Sequence, residues 1–337
     1  MSEPSANPAP EPSAPSPVVP APTNPSNVFR GPNGIRAGWR ALIFLAIVAG
    51  LVAAVNLVVA LVAHFALHHR PHIGAVASLS PAMAALSDGS IFLFTAIAAL
   101  IMTRIEHRKW EEYGLPARFA FRKHFWFGTL VGFLAVSISL LAIFALHGFH
   151  LVGIAIHGKT IVLATAAWTA AFVLVGLGEE FAFRGYLQFT LTTGIGFWPA
   201  AILLSALFGL AHAGNPGESK FGLLSVVCFG LLFCLFLRRT GNLWWAVGFH
   251  AGWDWGQTFF YGVPDSGLAP YHSLFNSTFS GPKWLTGGSV GPEASVFTPT
   301  VLLIVAIFFT RLYREDRYDP PGEPRKRSAA EHKKLEA

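Results

Sequence analysis

Between Phe125 and Gly178 the chain carries one charged side chain, Lys159. A helix or sheet that faces water needs a polar side, and this stretch has nothing from which to build one. Its surround must be lipid, where every backbone polar group has to be satisfied within the segment, and long apolar runs do this as helices. Composition carries the same conclusion to the rest of the chain. Of 337 residues, 53% are hydrophobic and 12% charged, against about 25% charged in soluble proteins. The expected fold is an all-α polytopic membrane protein, a bundle of about eight transmembrane helices.

Eight apolar runs come near the ~20 residues that cross a bilayer core. They lie at approximately 40–64, 82–103, 125–147, 160–190, 197–213, 221–238, 242–262 and 296–312. Residues 1–36 form a Pro/Ala/Ser-rich segment with nine prolines in the first 25 positions, a composition that cannot bury enough apolar surface to order itself. Residues 313–337 read as a charged tail, which leaves 37–312 as the membrane domain. The first apolar run starts near Ala41, so no secretory signal is expected. His107 to Lys123 mixes Trp110 and Tyr113 with charges of both signs, as an interfacial amphipathic piece does. His68, His69 and His72 fall in a loop and read as solvated. Cys228 and Cys234 share one apolar run and read as buried thiols, too few for a disulfide framework.

The net charge of +6 is no nucleic-acid signal, because the basic residues flank the apolar runs. With eight spans and the N-terminus inside, nineteen Lys and Arg fall in inside segments and four in outside loops, namely Arg70, Lys159, Lys220 and Lys283. That asymmetry predicts a multi-pass protein of the cell membrane with both termini cytoplasmic.

Within the apolar runs six ionisable residues stand out: Glu179, Glu180, Arg184, His212, His250 and Asp254. An Asp or Arg at the centre of a span costs about 2.5–3.5 kcal/mol on insertion scales. The six must therefore face one another or a wet cavity. Glu180 and Arg184 are four apart in the favoured order for a helical ion pair. At 1.5 Å per residue, Glu179, His212, His250 and Asp254 lie within about 10 Å of one level, on the fourth, fifth and seventh spans. A cavity between those spans would hold carboxylates and imidazoles together, the equipment of a site that activates water.

The same residues carry a resemblance. E-E-F-A-F-R-G-Y (Glu179 to Tyr186) resembles the E-E-x-x-x-R motif of the CAAX prenyl protease type II and bacteriocin-processing (CPBP) family of intramembrane proteases. F-G-L-A-H (Phe208 to His212) is similar to its F-x-x-x-H, and H-A-G-W-D (His250 to Asp254) to its H-x-x-x-N/D. The motifs stand in the family's order over roughly residues 160–260. The resemblance implies an eight-helix intramembrane endopeptidase acting on a membrane-associated or prenylated protein or peptide. Glu179 would activate water with help from His212, His250 and Asp254 would stabilise the oxyanion, and Glu180 and Arg184 would support the first motif. Asp254 stands where prenyl-protein proteases of this kind often have Asn, and an ionised Asp cannot donate to an oxyanion.

The family is often labelled a metalloprotease, and Glu179, His212, His250 and Asp254 are the residues that would ligate Zn2+. Activation of water without a cofactor is the preferred expectation. Expected partners are membrane lipid and a peptide or protein substrate, with no nucleic acid. Two rivals use the same residues: a proton- or ion-coupled transporter, and a non-proteolytic immunity or scaffold protein of the same family. The lack of paired inverted hydropathy halves speaks against the first, and the intact Glu179, His212 and His250 speak against the second.

Overall fold

A computed structural model describes residues 27–31, 34–66 and 78–319. Most of the N-terminal segment, the His68–His72 loop and the chain beyond Asp319 lie outside the described residues. The chain divides into two units, Met1–Arg36 and Ala37–Ala337. Within the first, β1 (Arg30–Gly31) pairs antiparallel with β2 (Gly34–Ile35).

The second unit is a helical bundle. The helices are α1 (Ala37–Ala66), α2 (Pro81–Glu106), α3 (Lys123–Ala145), α4 (Lys159–Arg184), α5 (Tyr186–Ile195), α6 (Phe197–Ala211) and α7 (Lys220–Thr240). They continue with α8 (Trp244–Asp254), the short α9 (Lys283–Thr286) and α10 (Phe297–Leu312). Among the described residues, six helical segments are long and apolar enough to cross a membrane; α4 and α5 count as one of them, Lys159–Ile195. The seventh expected span is α8 continued by a π-helical turn, Trp255–Phe260, and the eighth is the 16-residue α10. The outer belt is apolar: Leu57, Leu141, Val162, Leu210 and Leu303 are all exposed, as lipid-facing side chains are. This is an integral membrane protein.

Capping and small residues explain the local breaks. Ser80 accepts from the amide of Met83 and Pro81 occupies the first turn, so α2 starts there. Gly241, at φ +71, closes α7 with a left-handed cap that a side chain would strain. Gly185 separates α4 from α5, and a Cβ there would stand 2.5 Å from Phe181. The expected interfacial segment is two 3-10 turns, Trp110–Tyr113 and Ala117–Phe119.

The closest helix pair is α3 against α8, and its seam is made of glycine. A Cβ on Gly132 would lie 2.1 Å from the Phe249 carbonyl oxygen, and one on Gly252 would lie 2.1 Å from that of Thr129. Gly248 meets the backbone of Phe125 in the same way. Small residues let membrane helices touch backbone to backbone, where dispersion is strongest. Gly178 does the same between α4 and the Asp88 carbonyl of α2.

The bundle has two unlike ends. The basic end gathers the start of α1, the last turn of α2, the turns 110–119 and the strap 313–319. Arg40 pairs with Glu106 at 2.8 Å, and Arg238 with Asp316 at 2.9 Å. At the other end, the loop end, β4 (Phe149–Ile154) pairs antiparallel with β6 (Phe275–Phe279). There β3 (Ser78–Leu79) pairs parallel with β5 (Ala269–Pro270). These short sheets are the addition to the all-α expectation, and both lie in connections between spans.

Candidate active site

A cavity of about 450 Å³ opens among α2, α4, α6, α7 and α8. Glu179, His212, His250 and Asp254 all line it. The sequence placed it between the spans that are now α4, α6 and α8; α2 and α7 and the loop end add further walls.

His250 is the hub. Its Nδ1 lies 3.0 Å from Glu180 Oε1. Its Nε2 lies 3.6 Å from Glu179 Oε2 and 3.4 Å from Asp254 Oδ2. With carboxyl oxygens at both ring nitrogens, the imidazole can donate from both. One turn of α8 sets the Asp254 contact, and the close approach of α4 at Gly176, whose Cβ would be 2.8 Å from the Val247 carbonyl, sets the other two. The ring stacks on Phe233 at 5.3 Å, which fixes its plane.

Glu180 and Arg184 are fully buried, with Nη1 3.4 Å from Oε1. The guanidinium also sits over the Phe208 ring at 4.2 Å, a cation–π contact that gains from desolvation. It needs Gly230, where a Cβ would come within 2.5 Å of Nη2. The pair is more than a helix staple, because the same Oε1 that meets Arg184 holds His250.

His212 stands apart from this hub on the cavity wall. Its Nδ1 donates to the Phe208 carbonyl at 2.8 Å, which leaves Nε2 as the acceptor on the cavity side of the ring's hydrogen-bonding inventory. No direct bond joins it to Glu179, His250 or Asp254 among the described residues.

Other groups in the cavity were not among the expected site residues. Asp88 of α2 lines it, as do Asp265 and Glu293 from the loop between α8 and α10. Asp254, Asp265 and Glu293 are buried, each with a carboxyl oxygen within 4.8 Å of the others. Thr258 donates to Asp265 at 2.6 Å. Gln257, in the π turn, donates to Glu293 at 3.2 Å and accepts from Trp253 at 2.7 Å. Burial pushes the Asp265 carboxyl above its ordinary range, and burial with the neighbouring carboxyls pushes Glu293 up strongly. Asp88 had a signal in the sequence, a charge within an apolar run. Asp265 and Glu293 had none, since loop carboxyls are usually solvated.

The residues offered for zinc, Glu179, His212, His250 and Asp254, bring two imidazoles and two carboxylates to the cavity wall, donor types that zinc accepts. Among the described residues the group whose ligand atoms converge is Asp254, Asp265 and Glu293, all oxygen donors. Such an all-oxygen set suits hard cations.

Fold and site together define a multi-pass membrane protein with a buried carboxylate–imidazole cavity. Residues 161–256 match the family described as type II CAAX prenyl endopeptidase, Rce1-like, the family that the three motifs resemble. At family level the match supports a CAAX-type intramembrane endopeptidase. The matched segment holds Glu179 through Asp254 and stops short of Asp88, Asp265 and Glu293. No curated protein matches the chain significantly.

Proposed function

We propose that this protein is an endopeptidase that hydrolyses a peptide bond of a membrane-associated or prenylated protein or peptide, using water activated by Glu179 and His212. The observation that supports this most is that one cavity holds Glu179, His212, His250 and Asp254, with His250 fixed by carboxyls at both ring nitrogens.

Glu179 takes a proton from a water as the oxygen attacks the scissile carbonyl carbon, and the carbonyl electron pair moves onto its oxygen. His250 donates from Nε2 to that oxyanion, and Asp254 donates as a carboxylic acid. His212, its Nδ1 tied to Phe208, accepts from the water's second hydrogen at Nε2 and aims it. When the intermediate collapses, the C–N bond breaks and Glu179 returns its proton to the leaving amine. Glu180 keeps His250 oriented, and Arg184 offsets the Glu180 charge. No step runs through a metal, so cleavage should survive strong chelators; stoichiometric zinc in active preparations would overturn that part. We infer further that the protein sits in the cell membrane with both termini cytoplasmic.

The test is membrane peptidomics and a peptide-library digest in detergent, wild type against Glu179→Gln. Peptides cut by the wild type and spared by the variant support the reading, and equal digestion removes Glu179 as the base.

A further inference from the structure

Each helix that lines the cavity does so over one part of its length. From α2 the lining runs from Met83 to Ile91 and includes nothing nearer the basic end. From α6 it begins at Phe208, in the last turn, and from α7 it ends at Phe233. From α8 it begins at His250, two turns in from the basic end. From α4 come Phe172, Val175, Glu179 and Phe183, in the middle of the span that α4 and α5 form together; Leu79, Asn215, Asp265, Ser266, Leu268 and Glu293 belong to loop-end connections.

Toward the basic end the bundle is filled. Tyr113, Phe181, Tyr186, Phe189, Leu243 and Trp244 are buried in one continuous cluster there. The Leu243 amide donates to the Gly114 carbonyl at 2.8 Å, and the Tyr318 ring of the strap lies 4.8 Å from that of Phe189. Trp110 closes over Phe181 at 4.8 Å. No lining residue comes from residues 92–171, 184–207 or 234–249.

The distribution of Lys and Arg identifies the two faces independently of the cavity. Arg104, Arg108, Lys109, Lys123, Arg238, Arg239 and Arg311 sit at or beside the helix termini of the basic end, and such residues concentrate on the cytoplasmic side. The loop end holds Lys159, Lys220 and Lys283.

We propose that the catalytic cavity opens to the non-cytoplasmic face, so that the substrate is a polypeptide segment presented on the outer side of the membrane. The proposal rests on the endopeptidase reading and narrows it. An exported peptide, or the outer flank of a membrane-spanning protein, reaches Glu179 past Leu79 and Asn215. A C-terminus prenylated in the cytoplasm meets the aromatic plug instead.

The test separates access from activity. In a Cys228→Ala background, Asn215→Cys and Asp88→Cys are treated with a quaternary-ammonium methanethiosulfonate in sealed right-side-out and inverted vesicles. The reagent's fixed charge keeps it on one side. Both cysteines should react about tenfold or more faster in right-side-out vesicles, with Arg314→Cys showing the reverse. Faster reaction of Asn215→Cys from the cytoplasmic side, or reaction from neither side, overturns the proposal, and that loop position does not depend on Asp88→Cys folding. A peptide cut by the detergent-solubilised enzyme is then added to the same vesicles. Hydrolysis should favour right-side-out vesicles by a similar factor; equal or inverted rates overturn the proposal. If no peptide is cut in detergent, the endopeptidase reading fails while the labelling still reports which face the cavity serves.

Discussion

The two ends of the bundle solve the same problem, charge inside an apolar solvent, in opposite ways. At the basic end Glu106 and Asp316 are each met by two cations. Glu106 receives Arg40 at 2.8 Å and Arg108 at 3.2 Å, and the Tyr186 hydroxyl donates to it as well. Asp316 holds Arg238 and Arg239. At the cavity the ratio reverses: Asp88, Glu179, Asp254, Asp265 and Glu293 share two imidazoles, and the nearby guanidinium of Arg184 is bound to Glu180. A paired charge is spent on holding helices together. Carboxyls and imidazoles gathered in one cavity without matching cations are groups suited to moving protons.

The comparison breaks first at Glu179. The variant Glu179→Gln keeps the shape and cannot accept a proton, so cleavage should fall about 10²–10⁴-fold with an unchanged melting temperature in detergent. Full activity would place the base elsewhere. Asp254 comes next. Its removal in Asp254→Ala should cost about 10²–10³ in rate, as for an oxyanion donor, while Asp254→Asn should retain much of the activity because an amide donates too. An Asn variant as poor as the Ala variant, in equally well-folded protein, would make the negative charge the important property.

At the basic end the signature should invert. Glu106→Gln leaves Arg40 short of its partner and should destabilise by about 3 kcal/mol, read as a lowered midpoint of thermal unfolding, with cleavage by the surviving folded protein unaltered. A catalytic defect there would erase the division between the ends. The smallest effect is expected at Glu293. Its folded pKa is raised by burial, so the protonated form is the one the fold favours. The stability this contributes is complete below the ordinary value of 4.5 and is lost as pH rises through the folded value. Glu293→Gln, a neutral mimic, should flatten that decline, and parallel melting curves against pH for the two proteins would refute the assignment.

Much of this was legible in the sequence. The expected spans fall on helices because twenty apolar residues in lipid have little choice. The three motifs share a cavity because each carries polar groups that lipid would reject. The α8 segment was harder to delimit: its apolar run continues into the π turn that sets Gln257 toward Glu293, and hydropathy cannot distinguish one helical winding from another. Asp88 could have been read by the insertion-cost rule applied to Glu179, yet it lay near the start of its run, where a charge can reach water. Asp265 and Glu293 lie in a polar, glycine-rich connection. Only the tertiary fold buries them, so no local pattern marks them.

The glycine seam between α3 and α8 gives the catalytic groups an unusual kind of mounting. His250 and Asp254 ride on a rod that bears directly on another rod, with no side chains between them to act as cushions. Such a joint transmits displacement without damping. A single methyl group added at Gly252 would shift imidazole and carboxyl in concert, and misplacement by about 1 Å can cost a hundredfold in rate. The alignment of the chemistry is thus calibrated at positions that carry no chemistry, on the face of α8 turned away from the substrate.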